Sequence, residues 1–97
     1  MKDVFEIGVV KQVSTNTWLI GGRAYKVVKT GDVIYLDVPG STDDIKSEFK
    51  INKIFYAGLE TPDLHPVYTG ELLLEGQQGA LLQPGTILQY PNLDNNK

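Results

Sequence analysis

A chain of 97 residues is the size of one domain, and folding at this length buries roughly two-thirds of the unfolded chain's surface, enough for a single core. It has no cysteine, which excludes disulfides and thiolate metal sites and points to the cytosol rather than to a secreted scaffold. The net charge of −3 is uneven: residues 1–39 carry five Lys/Arg against four Asp/Glu and residues 40–97 four against eight, a balance that disfavours phosphate binding as the main task.

Residues 4–13 give a first strand, with Gly8 placed for a bend or bulge. Ser14-Thr15-Asn16-Thr17 is turn chemistry, Trp18-Leu19-Ile20 a second short strand, and Gly21-Gly22 is expected to turn or kink the chain. Tyr25-Lys26-Val27-Val28 follows as a strand, turned by Thr30-Gly31-Asp32. Residues 33–38 form a clear strand with Ile34, Leu36 and Val38 on one face and Val33, Tyr35 and Asp37 on the other, stopped by Pro39-Gly40. Residues 41–48 hold one apolar residue, Ile45. They read as a loop with at most a single turn capped by Ser41. Phe49-Lys50-Ile51-Asn52 alternates, and the parity break before Ile54-Phe55-Tyr56 predicts a bulge between Ile51 and Ile54. Residues 58–66 read as a long loop. Glu71-Leu72-Leu73-Leu74-Glu75 is a strand with Leu72 and Leu74 on one face, Leu81-Leu82 a short one, and Thr86 to Tyr90 the last before Pro91 and a polar tail, residues 92–97.

Many short strands bounded by Gly and Pro give an all-β chain, a barrel or a sandwich. The expected core is Ile34, Leu36, Phe49, Ile51, Leu72, Leu74 and Ile87.

Four ordered patterns narrow the choice. Gly22-Arg23 follows a short apolar strand. Val27-Val28-Lys29-Thr30-Gly31-Asp32-Val33-Ile34 sets two β-branched residues and a lysine before a Gly-Asp turn and a strand. Thr69-Gly70-Glu71-Leu72-Leu73-Leu74-Glu75-Gly76 and Leu82-Gln83-Pro84-Gly85-Thr86-Ile87-Leu88 complete the series over residues 7–90. In these patterns the chain resembles the second, barrel domain of translational GTPases of the elongation factor Tu type. The resemblance implies a small closed antiparallel β-barrel of about six strands over residues 1–91. It also implies a binding module, because in those factors the barrel is a docking surface while the GTPase chemistry sits in another domain. This chain has no Gly-x-x-x-x-Gly-Lys-Ser/Thr cradle, and Asn52-Lys53-Ile54-Phe55 puts Phe55 where a guanine-reading motif needs Asp.

No catalytic residue, cofactor or metal is expected. His65, the only histidine, has a carboxylate nearby in Asp63, and Glu60, Asp63 and His65 are ligand types, but their spacing fits no metal motif and an exposed loop accounts for them. Asp43-Asp44 reads as a solvated loop. Trp18 is either a core aromatic or a partner-facing anchor, the core being favoured. Five tyrosines exceed what a small core needs, and Tyr35 is the outward-facing one of choice.

The expected function is docking on another, unidentified protein, in the manner of an immunity-type or regulatory protein. The candidate residues are Glu60, Asp63, His65 and Tyr68 in the 58–68 loop, together with Tyr35; the 39–47 loop is a second candidate element. The alternative is an RNA- or ribosome-contacting module using Arg23, Lys26 and Lys29. Nucleic acid is the less favoured partner. No membrane contact is expected: the longest aliphatic run, Leu72-Leu73-Leu74, falls far short of the roughly 20 residues a spanning helix needs, and Met1-Lys2-Asp3-Val4-Phe5-Glu6 lacks the apolar core of a secretory leader.

Overall fold

In a computed structural model, described for residues 3–36, 47–77 and 79–90, the chain forms nine strands and one short 3-10 turn. The strands are β1 (Asp3–Ser14), β2 (Thr17–Ala24), β3 (Val28–Lys29), β4 (Val33–Leu36), β5 (Ser47–Tyr56), β6 (Leu59–Thr61), β7 (Asp63–Leu64), β8 (Thr69–Glu75) and β9 (Ile87–Gln89); the 3-10 turn is Gly79–Leu81. The Ser41 turn, the Asp43-Asp44 pair, the end of the 33–38 strand, residues 39–46 of the second candidate loop and the 92–97 tail lie outside the described residues.

Hydrogen bonding runs β4-β9-β1-β2-β8-β5, and β5 pairs again with β4. Six strands therefore close on themselves, every pair antiparallel. The first and last strands are neighbours: Asp3 lies opposite Gln89, whose Nε2 donates to Asp3 Oδ1 at 2.8 Å. β3 and β7 form a separate ribbon.

Alternation fills the barrel. Ile34 and Leu36 of β4, Phe49, Ile51 and Ile54 of β5, and Leu72 and Leu74 of β8 are buried together with Phe5, Ile7 and Ile20. The bulge foreseen in β5 is present between Ile51 and Lys53 opposite β8, and it lets both Ile51 and Ile54 point inward. A second bulge between Ile7 and Val9 accommodates Gly8.

Four expectations change. Ile87 is half-buried, and Leu88 is the buried residue of β9, because β9 closes with Leu88 opposite both Phe5 and Leu36. Gly21 and Gly22 do not turn the chain; they lie inside β2, where a Cβ on Gly22 would stand 1.9 Å from the Glu6 carbonyl oxygen and 2.8 Å from the Phe5 ring. Glycine is needed there for close approach, not for a turn. Leu81-Leu82 is not a strand but the end of the 3-10 turn and the residue after it. Of residues 25–28 only Val28 is in a strand, β3.

The two ends of the barrel are closed differently. At one, Trp18 packs half-buried against the core, its indole so close that a Cβ on Gly79 would fall 1.8 Å from it. At the other, the β3–β7 ribbon brings Val28 opposite Leu64, both buried in the same core. Tyr90 ties β9 to the turn after this ribbon. Its hydroxyl lies 2.5 Å from the Val27 carbonyl oxygen and 2.8 Å from Asp32 Oδ2, which also accepts from the Lys29 N–H at 3.0 Å.

Three outcomes follow from this packing. Leu72→Ala should lose about 2–5 kcal/mol, since it removes transfer energy and leaves a cavity. Gly22→Ala should cost at least about 3 kcal/mol by forcing backbone apart, whereas Gly8→Ala, whose Cβ would meet nothing nearer than 3.4 Å, should be mild by comparison. Urea midpoints should place Leu72→Ala and Gly22→Ala well below Gly8→Ala. Tyr90→Phe should cost about 1 kcal/mol. Burial and then the Asp32 bond raise the Tyr90 phenol above its ordinary value of 10. The folded state thus holds this proton more tightly than the unfolded chain, so the contribution is complete below pH 10 and is lost as pH rises beyond it. The stability gap between wild type and Tyr90→Phe should narrow in urea titrations above pH 10.

Candidate functional site

Residues 58–68 are a structured segment rather than a plain loop. Tyr56 and Leu59 pair across Ala57 and Gly58, whose φ values of 54° and 82° are both left-handed. That is the geometry of a two-residue hairpin whose twist matches its strands, and it creates β6. Pro62 leads into β7, where Asp63 lies opposite Lys29 and Leu64 opposite Val28. His65-Pro66-Val67-Tyr68 then turns, with the Tyr68 N–H donating to the His65 carbonyl at 3.3 Å. Proline at the second position suits this turn. The third position needs positive φ and is occupied by Val67 at 64°, an uncommon and strained conformation for a β-branched residue. The turn is anchored on the end of β2: Val67 N–H donates to the Ala24 carbonyl at 2.8 Å, and Ala24 N–H to the Tyr68 carbonyl at 3.1 Å.

This folding gathers an apolar surface on the ribbon end of the barrel. The Tyr56 and Tyr68 rings lie 5.3 Å apart at 44°. Leu59 pairs with Tyr56, Val67 adjoins Tyr68, and Tyr25 follows the Ala24 to which the turn is bonded. Of the seven large apolar or aromatic residues exposed among the described residues, five are these; the other two, Val9 and Val13, are on β1. Leu59 and Val67 are each 73% exposed.

The polar candidates fall around the same rim. Glu60 is exposed on β6, and His65 Nε2 stands 3.6 Å from Asp63 Oδ2. Thr61 Oγ1 donates to the Asp63 carbonyl at 3.2 Å. Glu60, Asp63 and His65 do not converge: among the described residues no three such side chains are placed to hold a metal. The cations are interrupted by acids. Arg23 lies opposite Glu6 and Lys29 opposite Asp63, while Lys26 is exposed between them in sequence. The Tyr25 hydroxyl donates to Glu6 Oε1, and this bond, ahead of desolvation, raises the Tyr25 phenol above its ordinary range. Tyr35 stands apart. It faces outward from β4 but is half-buried, and its neighbours are Glu48 and Gln89 rather than the rim residues.

Seven of the eight sequence candidates thus belong to one end of the barrel. Sequence reasoning counted Tyr25 and Tyr56 among five surplus tyrosines without choosing them, and it missed Leu59 and Val67. Their signals were the Tyr56-Ala57-Gly58-Leu59 hairpin, disguised by Ala where Asn is usual, and a valine placed directly after Pro66.

No family model matches the chain, and no curated protein does. Solved structures share its fold. Over 93% of its length the chain superposes on translation elongation factor SelB from Methanococcus maripaludis with a TM-score of 0.77 at 16% identity, spanning 19% of that protein. It also superposes, over 91% of its length, on 93% of the C-terminal domain of a Geobacillus thermoleovorans protein described as a U32 peptidase, with a TM-score of 0.59 at 17% identity. At these identities the likeness is one of fold, and the chain is a six-stranded barrel of the kind found as a domain of translation elongation factors.

Proposed function

We propose that this barrel is a non-catalytic, cytoplasmic binding module that docks on another protein, as an immunity-type or regulatory protein does, through the rim formed by Tyr25, Tyr56, Leu59, Val67 and Tyr68. The observation that carries the reading is the concentration of exposed apolar area on this rim, with Val67 held in a strained conformation and turned to solvent. Strain kept at an exposed position commonly accompanies function. Tyrosines favour such a surface because each presents an apolar ring and a polar tip. Glu60, Asp63 and His65 supply the surrounding polar groups.

The second reading, contact with RNA, draws on Arg23, Lys26 and Lys29 lying near exposed tyrosines. It is weaker because two of the three cations face carboxylates across a strand pair, whereas phosphate binding gains from uncompensated cations.

Capture from cell extract tests the reading. The variant Leu59→Ser, Val67→Asn, Tyr68→Ser should fold, since asparagine tolerates the left-handed conformation better than valine. It should recover at least tenfold less of the partner protein than wild type. The control Val9→Ser, Val13→Ser should recover it fully. Equal recovery by wild type and the rim variant sinks the proposal. Recovery of RNA that falls steeply as salt is raised moves the function to the second reading.

A further inference from the structure

Strand β6 offers a backbone as well as side chains. It lies along the same edge of β5 as β4, beyond the point where β4 ends, and among the described residues its other edge pairs with no strand. In a two-residue hairpin the pair flanking the loop exchanges hydrogen bonds, the next pair does not, and the pattern alternates. Tyr56–Leu59 and Ile54–Thr61 are thus the bonded pairs, and Phe55–Glu60 is not. The N–H and C=O of Glu60 consequently point away from β5, and neither takes part in the turn and loop bonding among the described residues. An open groove lined by Thr30, Glu60, Thr61 and Pro62 lies against this edge. Its far side is fixed by the Thr30 N–H, which donates to the Pro62 carbonyl at 3.0 Å.

We infer that this groove takes an extended peptide segment as an added strand, paired to the Glu60 backbone and carrying a lysine or arginine onto the Glu60 carboxylate. The inference rests on the protein-docking reading and names the chemistry of the partner. Added strands draw affinity from main-chain bonds and specificity from alternate side chains. Among the described residues the groove lining contains a carboxylate and no cation, and Glu60 makes no ion pair. A cationic side chain is its complement. Exposed Leu59 adjoins Glu60 on this strand, with exposed Tyr56 across from it on β5, and offers apolar contact to the same segment. A second copy of this chain is a poor occupant, because two-fold pairing centred on this three-residue strand sets Glu60 directly opposite Glu60, and like charges so placed repel. RNA is a poor one for the same carboxylate.

The test is an NMR titration of the isotope-labelled full chain with a pool of hexapeptides alternating Val/Thr with Lys/Arg. A matched pool alternates Val/Thr with Asp/Glu. The cationic pool should give saturable shifts at the Thr30, Glu60 and Thr61 amides and bind at least tenfold more tightly than the acidic pool, with slowed exchange of the Glu60 amide. Glu60→Pro deletes the outward N–H and leaves the β5 ladder intact, since this N–H bonds nothing there. It should weaken binding at least tenfold. Glu60→Gln should keep the pairing and lose the preference for cationic peptides. The inference is overturned if those three amides show no saturable shift, if the two pools bind equally, or if Glu60→Pro binds as wild type does. If Glu60→Pro still captures the partner from extract while the Leu59, Val67, Tyr68 variant does not, the rim reading stands and the added strand falls.

Discussion

Closure of the barrel depends on a strand of three residues. Ile87–Gln89 bonds to β1 on one side and to β4 on the other, and without it the sheet would run open from β1 round to β4. One side chain, Leu88, is set by that bridge against Phe5 and Leu36 and is wholly buried with them. Tyr90, immediately after, carries the same constraint out of the barrel wall to Val27 and Asp32. The turn it holds is the one that aims β3 at β7, so the ribbon beneath the rim is positioned by the residues that close the cylinder. The exposed surface at that end stands on a frame fixed from both directions along the chain.

The rim is polar and apolar in alternation for a physical reason. β2, β3 and β7 end or pass there with their inward residues, Ala24, Val28 and Leu64, already committed to the core. Their outward neighbours Arg23, Lys29 and Asp63 can only be solvated or paired. Register sets Arg23 opposite Glu6 and Lys29 opposite Asp63, and opposite charges so placed keep the local field small. Docking on a surface so arranged, as proposed above, would rely on shape and apolar area rather than on long-range steering.

Much of the fold was legible in the sequence wherever alternation ran for four or more residues. Ile34 and Leu36, Phe49 and Ile51, and Leu72 and Leu74 face inward as their spacing requires, and the parity break before Ile54 is a bulge. Reading failed where the deciding partner is distant. Gly22 looks the same in sequence whether it turns a chain or admits a neighbour, and the neighbour, Glu6 with Phe5, lies a whole strand away. Ile87-Leu88 offers two adjacent apolar side chains, and only pairing with β1 chooses between them. Strands β6 and β7, of three and two residues, are too short to alternate at all. At the proposed rim, Glu60, Asp63, His65 and Tyr68 were legible as polar and aromatic groups in one segment. Leu59 and Val67 were not, because an apolar residue in sequence announces a core, and their exposure comes from turn geometry.

The side-by-side placement of Asp3 and Gln89 has a topological consequence. A chain that enters and leaves its barrel at adjacent strands occupies almost no span between those two points. Such a unit can be spliced into a surface loop of a larger protein without prising the loop's ends apart, and its own ends can be joined and reopened at a hairpin such as Ala57-Gly58 with the ladder undisturbed. The barrel is, in its connectivity, a portable part: it presents the same rim whether it stands by itself or hangs from a host.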